Sequence, residues 1–121
     1  MKRRETGILG EQLASDYLKK HGYRILEANY RCREGEIDLV AQHKDYLVFI
    51  EVRTKRSLAF GTPEESITAA KREKLRTVAA HYQQNHDNLP QLWRIDVVAI
   101  ELDSKGRPSR IELIENAVDD T

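Results

Sequence analysis

A chain of 121 residues, 40% hydrophobic and 33% charged, has room for one hydrophobic core and not for two, so a single domain spanning 1–121 is expected. Twenty basic residues balance twenty acidic ones. This excludes a global field for polyanions and leaves local basic clusters: Lys2 to Arg4, Arg31 with Arg33, Arg53 to Arg56, and Lys71 to Arg76. A single cysteine, Cys32, excludes an internal disulfide and has no Cys or His neighbour at metal-ligand spacing, and no apolar run suits a signal peptide or a membrane span, so a cytoplasmic protein is expected.

The first element reads as a helix from Thr6 to His21, closed by Gly22 in the left-handed conformation. At 100° per residue Leu9, Leu13, Ala14, Tyr17 and Leu18 share one arc. Glu11 projects within about 20° of Leu18, at the border of that arc. It is either a rim carboxylate paired with Lys2 or Arg3, or a carboxylate aimed at a site beneath the helix.

Tyr23 to Cys32 reads as a strand, Glu34-Gly35 as a turn, and Glu36 to Ala41 as a second strand, with His43 to Asp45 linking it to a third that ends Phe49-Ile-Glu-Val-Arg-Thr-Lys55. Three strands on short links form an antiparallel meander. In the third strand Leu47, Phe49, Glu51, Arg53 and Lys55 share a face that begins apolar and ends charged, while Val48, Ile50 and Val52 line the other. In the second strand Asp38 shares a face with Glu36 and Val40, and pairing brings its carboxylate toward Glu51.

Ser57 to Gly61 is a connection. Thr62-Pro-Glu-Glu65 has helix-start chemistry, with Thr62 and Glu65 forming a capping box, and a restart at Thr68 is equally allowed. Leu75, Val78, Ala79 and Tyr82 make the buried stripe of this second helix, which places Lys71, Lys74 and Arg76 outside it and ends before Asn85. His81 and His86 read as ordinary helix-end residues. Leu92 to Leu102 is a long strand that the intervening helix allows to run parallel to the third. Asp96, a charged residue between Ile95 and Val97, is either functional or paired, the commoner outcome being a pair with Arg94 or with an arginine from a helix. Ser104 to Pro108 turns into an edge strand from Arg110 to Ile114. The expected fold class is α/β, a mixed central sheet flanked by helices in the order α-β-β-β-α-β-β.

The chemistry concentrates in Asp38 and in Glu51-x-Arg53. Phosphodiester hydrolysis uses a hard divalent cation, held by one or two carboxylates, waters and the phosphate. A cationic side chain two residues beyond the acid shares its strand face and can meet the phosphate. The same pattern is also what a solvated, salt-bridged strand end looks like.

Five segments taken together are specific: Gly7 to Glu11 with glycines at 7 and 10, Gly35 to Ala41, Phe49 to Lys55, Phe60-Gly61, and Arg94 to Ile100. In these the chain resembles the YraN family, small bacterial proteins whose fold is similar to PD-(D/E)xK (restriction-endonuclease-like) nucleases, above all archaeal Holliday-junction resolvases. The resemblance implies Glu11 as the helix carboxylate, Asp38 and Glu51 as metal-binding acids, and Arg53 at the position usually held by lysine. Arginine holds its proton too tightly to act as a base, and Lys55 lies about 6.6 Å further along the strand. The resulting expectation is a Mg²⁺- or Mn²⁺-dependent endonuclease-like protein acting on branched DNA, with Glu11, Asp38, Glu51, Arg53 and Lys55 as site residues. Its partner would be nucleic acid, with no membrane and with a homodimer open. The alternatives are a non-catalytic nucleic-acid binder with the same fold and a protein-interaction module.

Overall fold

The computed structural model describes residues 2–118. Helix α1 (Arg3–Lys20) is followed by β1 (Arg24–Cys32), β2 (Gly35–His43) and β3 (Tyr46–Lys55); a 3-10 turn (Glu64–Ser66) precedes α2 (Ala69–Gln84), and β4 (Leu92–Leu102) and β5 (Pro108–Ile114) follow. The strands form one five-stranded sheet in sequence order, parallel between β3 and β4 and antiparallel elsewhere. This is the expected α/β architecture and element order. The parallel step is the one that α2 bridges, since parallel neighbours need a long crossover.

Each face of the sheet carries a core. Beneath α2, Ile37, Val40, Leu47, Phe49 and Ile95 pack with Leu75, Val78, Ala79 and Tyr82. Beneath α1, Leu39, Ala41, Val48, Ile50, Val98 and Ile100 pack with Ala14 and Leu18. β3 is central and buried on both faces, so its apolar run alternates between the two cores, each large side chain contributing roughly 1.5–3 kcal/mol.

The helices differ from expectation in instructive ways. The buried stripe of α1 is Thr6, Gly10, Ala14 and Leu18, whereas Leu9 and Leu13 only flank it. A Cβ on Gly10 would stand 1.9 Å from Thr54 Oγ1, so the missing side chain is what lets α1 approach β3. Gly22 closes the helix at φ +87° as the sequence indicated. The Thr62–Glu65 capping box forms, with the Thr62 N–H and hydroxyl both donating to Glu65 at 2.8 Å, but it organises only the 3-10 turn. The helix itself begins after Thr68, whose hydroxyl accepts from the Lys71 N–H at 3.1 Å.

Asp96 is fully buried and paired as anticipated. Its carboxylate takes Arg94 Nε at 3.0 and 3.1 Å and the Asn116 N–H at 2.8 Å. Arg94 in turn donates to the Tyr23 hydroxyl at 2.8 Å and lies over the Tyr46 ring, which ties β4 to the start of β1 and of β3. This network is structural, on the far end of β4 from the charged end of β3. Among the described residues no helix is long and apolar enough to cross a membrane.

Candidate active site

The site forms where β2 and β3 part. Their ladder runs from His43↔Tyr46 to Leu39↔Ile50 and stops there. One residue further, the Asp38 side chain takes the place of a strand partner: its Oδ2 accepts the Val52 N–H at 2.8 Å. The strict alternation expected in β2 fails at this point, because Ile37 and Val40 both join the α2-side core while Leu39 and Ala41 join the other. The facing backbone of β1 is distorted too, with Asn29 at φ +56° between the pairs Ala28↔Leu39 and Tyr30↔Ile37. The alternation breaks between Ile37 and Leu39, beside Asp38, and the Asp38 carboxylate meets Glu51 on the side of the sheet that Val40 also faces.

β3 keeps its alternation, and Glu51 follows Leu47 and Phe49 onto the α2 side. Glu51 is 5% exposed. Its Oε2 lies 2.9 Å from Arg53 Nη2 and 3.6 Å from Lys71 Nζ, and it shares a side-chain hydrogen bond with Asp38. Burial is the main influence pushing Glu51 up to about 7, with Asp38 next, and Lys71 and Arg53 only partly offset these. Asp38 is also raised by burial, although the Val52 N–H, the hydrogen bond from Glu51 and Lys71 pull it down. Burial and mutual repulsion thus raise both carboxyls, and the pair titrates as a unit.

An open cavity of roughly 650 Å³ surrounds the pair. Glu11, Asp38, Glu51, Arg53 and Lys55 all line it, so the three elements do bring these five side chains to one place. They are not equally close. Glu11 is raised by burial and by Asp38 and accepts from the Asn29 side chain, not from Lys2 or Arg3. Among the described residues, its oxygens, those of Asp38 and those of Glu51 do not form a trio within 4.8 Å. Lys55 turns outward, donating from Nζ to the Phe60 carbonyl at 3.5 Å.

Lys71 is the residue that sequence reasoning missed. It was assigned to a solvated helix face, but the start of α2 at Ala69 puts it in the first turn, where its side chain descends to Glu51. At 100° per residue Lys71 falls within about 40° of Leu75 and about 20° of Val78 and Tyr82, so the helical period itself carried the signal. Arg3, Thr6 and Gly7 from α1 and the 93%-exposed Phe60 also border the cavity. Arg53 Nε is the buried side-chain polar atom, among the described residues, that has no hydrogen-bond partner.

Comparison with known proteins places these residues in a family. The profile of UPF0102, an uncharacterised protein family, matches residues 10–100. The chain is 51% identical to a UPF0102 protein of Dehalococcoides mccartyi over 118 residues, covering 96% of this chain and 94% of that one. It is 48% identical to one from Moorella thermoacetica, covering 97% and 98%, and 43% identical to one from Caldicellulosiruptor saccharolyticus, covering 97% and 99%. The matched segment runs from Gly10, at the contact of α1 with β3, through the carboxylate pair to Ile100 in β4, and on this match the chain belongs to the UPF0102, or YraN, family.

Proposed function

We propose that this protein is a Mg²⁺- or Mn²⁺-dependent endonuclease acting on branched or otherwise structured DNA, with Asp38 and Glu51 as the metal-binding acids. The observation that carries the reading is the pair itself: two carboxylates pressed together, one of them pushed up to about 7 because two nearby cations fail to offset burial and mutual repulsion. Hard oxygen donors in an open, partly desolvated cavity suit a hard divalent cation. The orphaned Arg53 Nε supports a further ligand, since a buried guanidinium N–H without an acceptor fits a phosphate oxygen. Bound between the acids, the ion would neutralise charge on the scissile phosphate and lower the pKa of an attacking water.

The chain's own groups then divide the remaining work. Arg53 is permanently charged and forked, so it binds phosphate and stabilises negative charge developing on its oxygens, and it takes no proton. Lys71 supplies a second cation, from α2, at the same Glu51 oxygen. Glu11, bonded to the Asn29 side chain, adds a further carboxylate to the lining of the cavity from α1. Lys55, held to the loop at Phe60, extends the positive rim along which a DNA backbone would run.

One observation favours a non-catalytic binder with the same fold: Arg53 sits 2.9 Å from Glu51 and already neutralises part of its charge. Wild type, Asp38→Asn and Arg53→Lys, assayed on a four-way junction and a matched duplex with Mg²⁺, Mn²⁺ or EDTA, separate the two. The enzyme reading expects metal-dependent junction cleavage, lost in Asp38→Asn with binding intact, and preserved or raised in Arg53→Lys. Junction binding without cleavage in any sample establishes the binder, and neither binding nor cleavage leaves a protein-interaction module.

A further inference from the structure

At the opposite edge of α2 from Lys71, the fold assembles a second set of donor atoms of a different chemical kind. Cys32 ends β1, Glu34 lies in the turn to β2, and His81 descends from the last turns of α2. The sulfur, one carboxylate oxygen and one imidazole nitrogen all lie within 4.8 Å of one another. Cys32 Sγ is 3.8 Å from Glu34 Oε1. Cys32 and His81 are far apart in the chain, and only the packing of α2 on the sheet brings them together.

Two features restrict the donors. Cys32 packs against the α2-side core, which limits where its sulfur can point. The hydroxyl of the buried Tyr30 lies 2.6 Å from His81 Nδ1, a hydrogen bond that fixes the orientation of the imidazole ring. Glu34 is exposed and free to swing. Tetrahedral zinc has bonds of about 2.3 Å to sulfur and about 2.0–2.1 Å to nitrogen and oxygen, so closing the cluster takes a movement of about 1 Å, within reach of a surface glutamate.

We propose that Cys32, Glu34 and His81 form a site for a thiophilic divalent transition ion of the Zn²⁺ class, with a fourth position open to water. The charge environment selects the donor set. Arg31, Arg33 and Lys74 line the adjoining cavity, and their positive field opposes an uncompensated cation. With the thiolate and the carboxylate bound to it the filled site is neutral, one charge more positive than the empty site, so release of the thiol proton halves the charge that the ion brings into that field. Binding breaks the Cys32 S–H bond, releases that proton to solvent and forms a metal–sulfur bond, with no change of oxidation state. Mg²⁺ is excluded by the sulfur and imidazole donors, and Mn²⁺ is disfavoured, so this site and the carboxylate pair take different ions.

Co²⁺ is the probe, titrated into the full chain in the presence of excess Mg²⁺. The expected result is one cobalt per chain, with a thiolate-to-cobalt charge-transfer band and the intense visible bands of four-coordinate cobalt. Cys32→Ser abolishes the charge-transfer band, and His81→Ala and Glu34→Gln each weaken affinity at least about tenfold, while Asp38→Asn leaves it unchanged. Far-ultraviolet circular dichroism checks that each variant is folded, and the surface change Glu34→Gln carries the test if His81→Ala is not. A missing charge-transfer band overturns the proposal, as does half a cobalt per chain, which marks Cys32 shared between two copies, or an affinity indifferent to Glu34 and His81. The assay does not depend on DNA cleavage, so its outcome is independent of the nuclease reading.

Discussion

If Glu51 is held protonated by burial and by Asp38, then removing its ability to ionise should stabilise the fold, and only at high pH. A carboxyl raised from 4.5 to about 7 binds its proton more tightly folded than unfolded. Stability is therefore greatest at low pH and is lost as pH rises from about 4.5 through about 7. At about 1.4 kcal/mol per pKa unit, the penalty integrates to about 3 kcal/mol at pH 8 and to about 1 kcal/mol at pH 5. Asp38, also raised, acts in the same direction. Glu51→Gln keeps the shape and discards the charge, but it leaves Arg53 and Lys71 without their anion, so about 1–2 kcal/mol of net stabilisation is expected at pH 8. Urea unfolding in EDTA measures this, with a midpoint shift on the order of 1 M at pH 8 and a small one at pH 5. A variant less stable than wild type at pH 8, or offset equally at both pH values, would refute the argument that the pair is frustrated. Saturating Mn²⁺ should stabilise wild type and do so much less for Glu51→Gln.

Gly10→Ala should destabilise by about 1–3 kcal/mol or more in thermal melts, because Thr54 and the whole of α1 must move to admit a methyl group. Lys71→Ala should reduce cleavage of the junction without loss of fold, and Lys71→Arg should restore part of it, as expected for a cation that meets phosphate. Junction affinity should fall steeply as salt is raised in gel-shift titrations and should favour the branched over the linear substrate, since the basic residues around the cavity engage backbone charge and not base edges.

The element order, the parallel β3–β4 step and the two-faced character of β3 were all legible, because each rests on local periodicity and connection length. So was the convergence of Glu51 with Arg53, which a period of two dictates. What was not legible depended on backbone irregularity or on packing between distant segments. The approach of Asp38 to Glu51 followed from strand pairing, but the break in alternation beside Asp38 and the left-handed Asn29 facing it did not. Gly10 read as a motif residue and proved to be the point of closest approach between α1 and β3. Lys71 sits on the same helical arc as Leu75, Val78 and Tyr82, and its charge alone is what reads as a place outside the buried stripe. The meeting of Cys32 with His81 required knowing which face of α2 covers the β1–β2 turn.

The central claim is that Asp38 and Glu51 are a pair of metal-binding acids. A crystal structure of the protein soaked in Mn²⁺, read by anomalous scattering, tests it without reference to any substrate. The account predicts a peak bridging the Asp38 and Glu51 carboxylates, with Arg53 displaced from Glu51 Oε2. A Mn²⁺-saturated crystal with no peak between those two carboxylates, and with the Arg53–Glu51 ion pair intact, would contradict it.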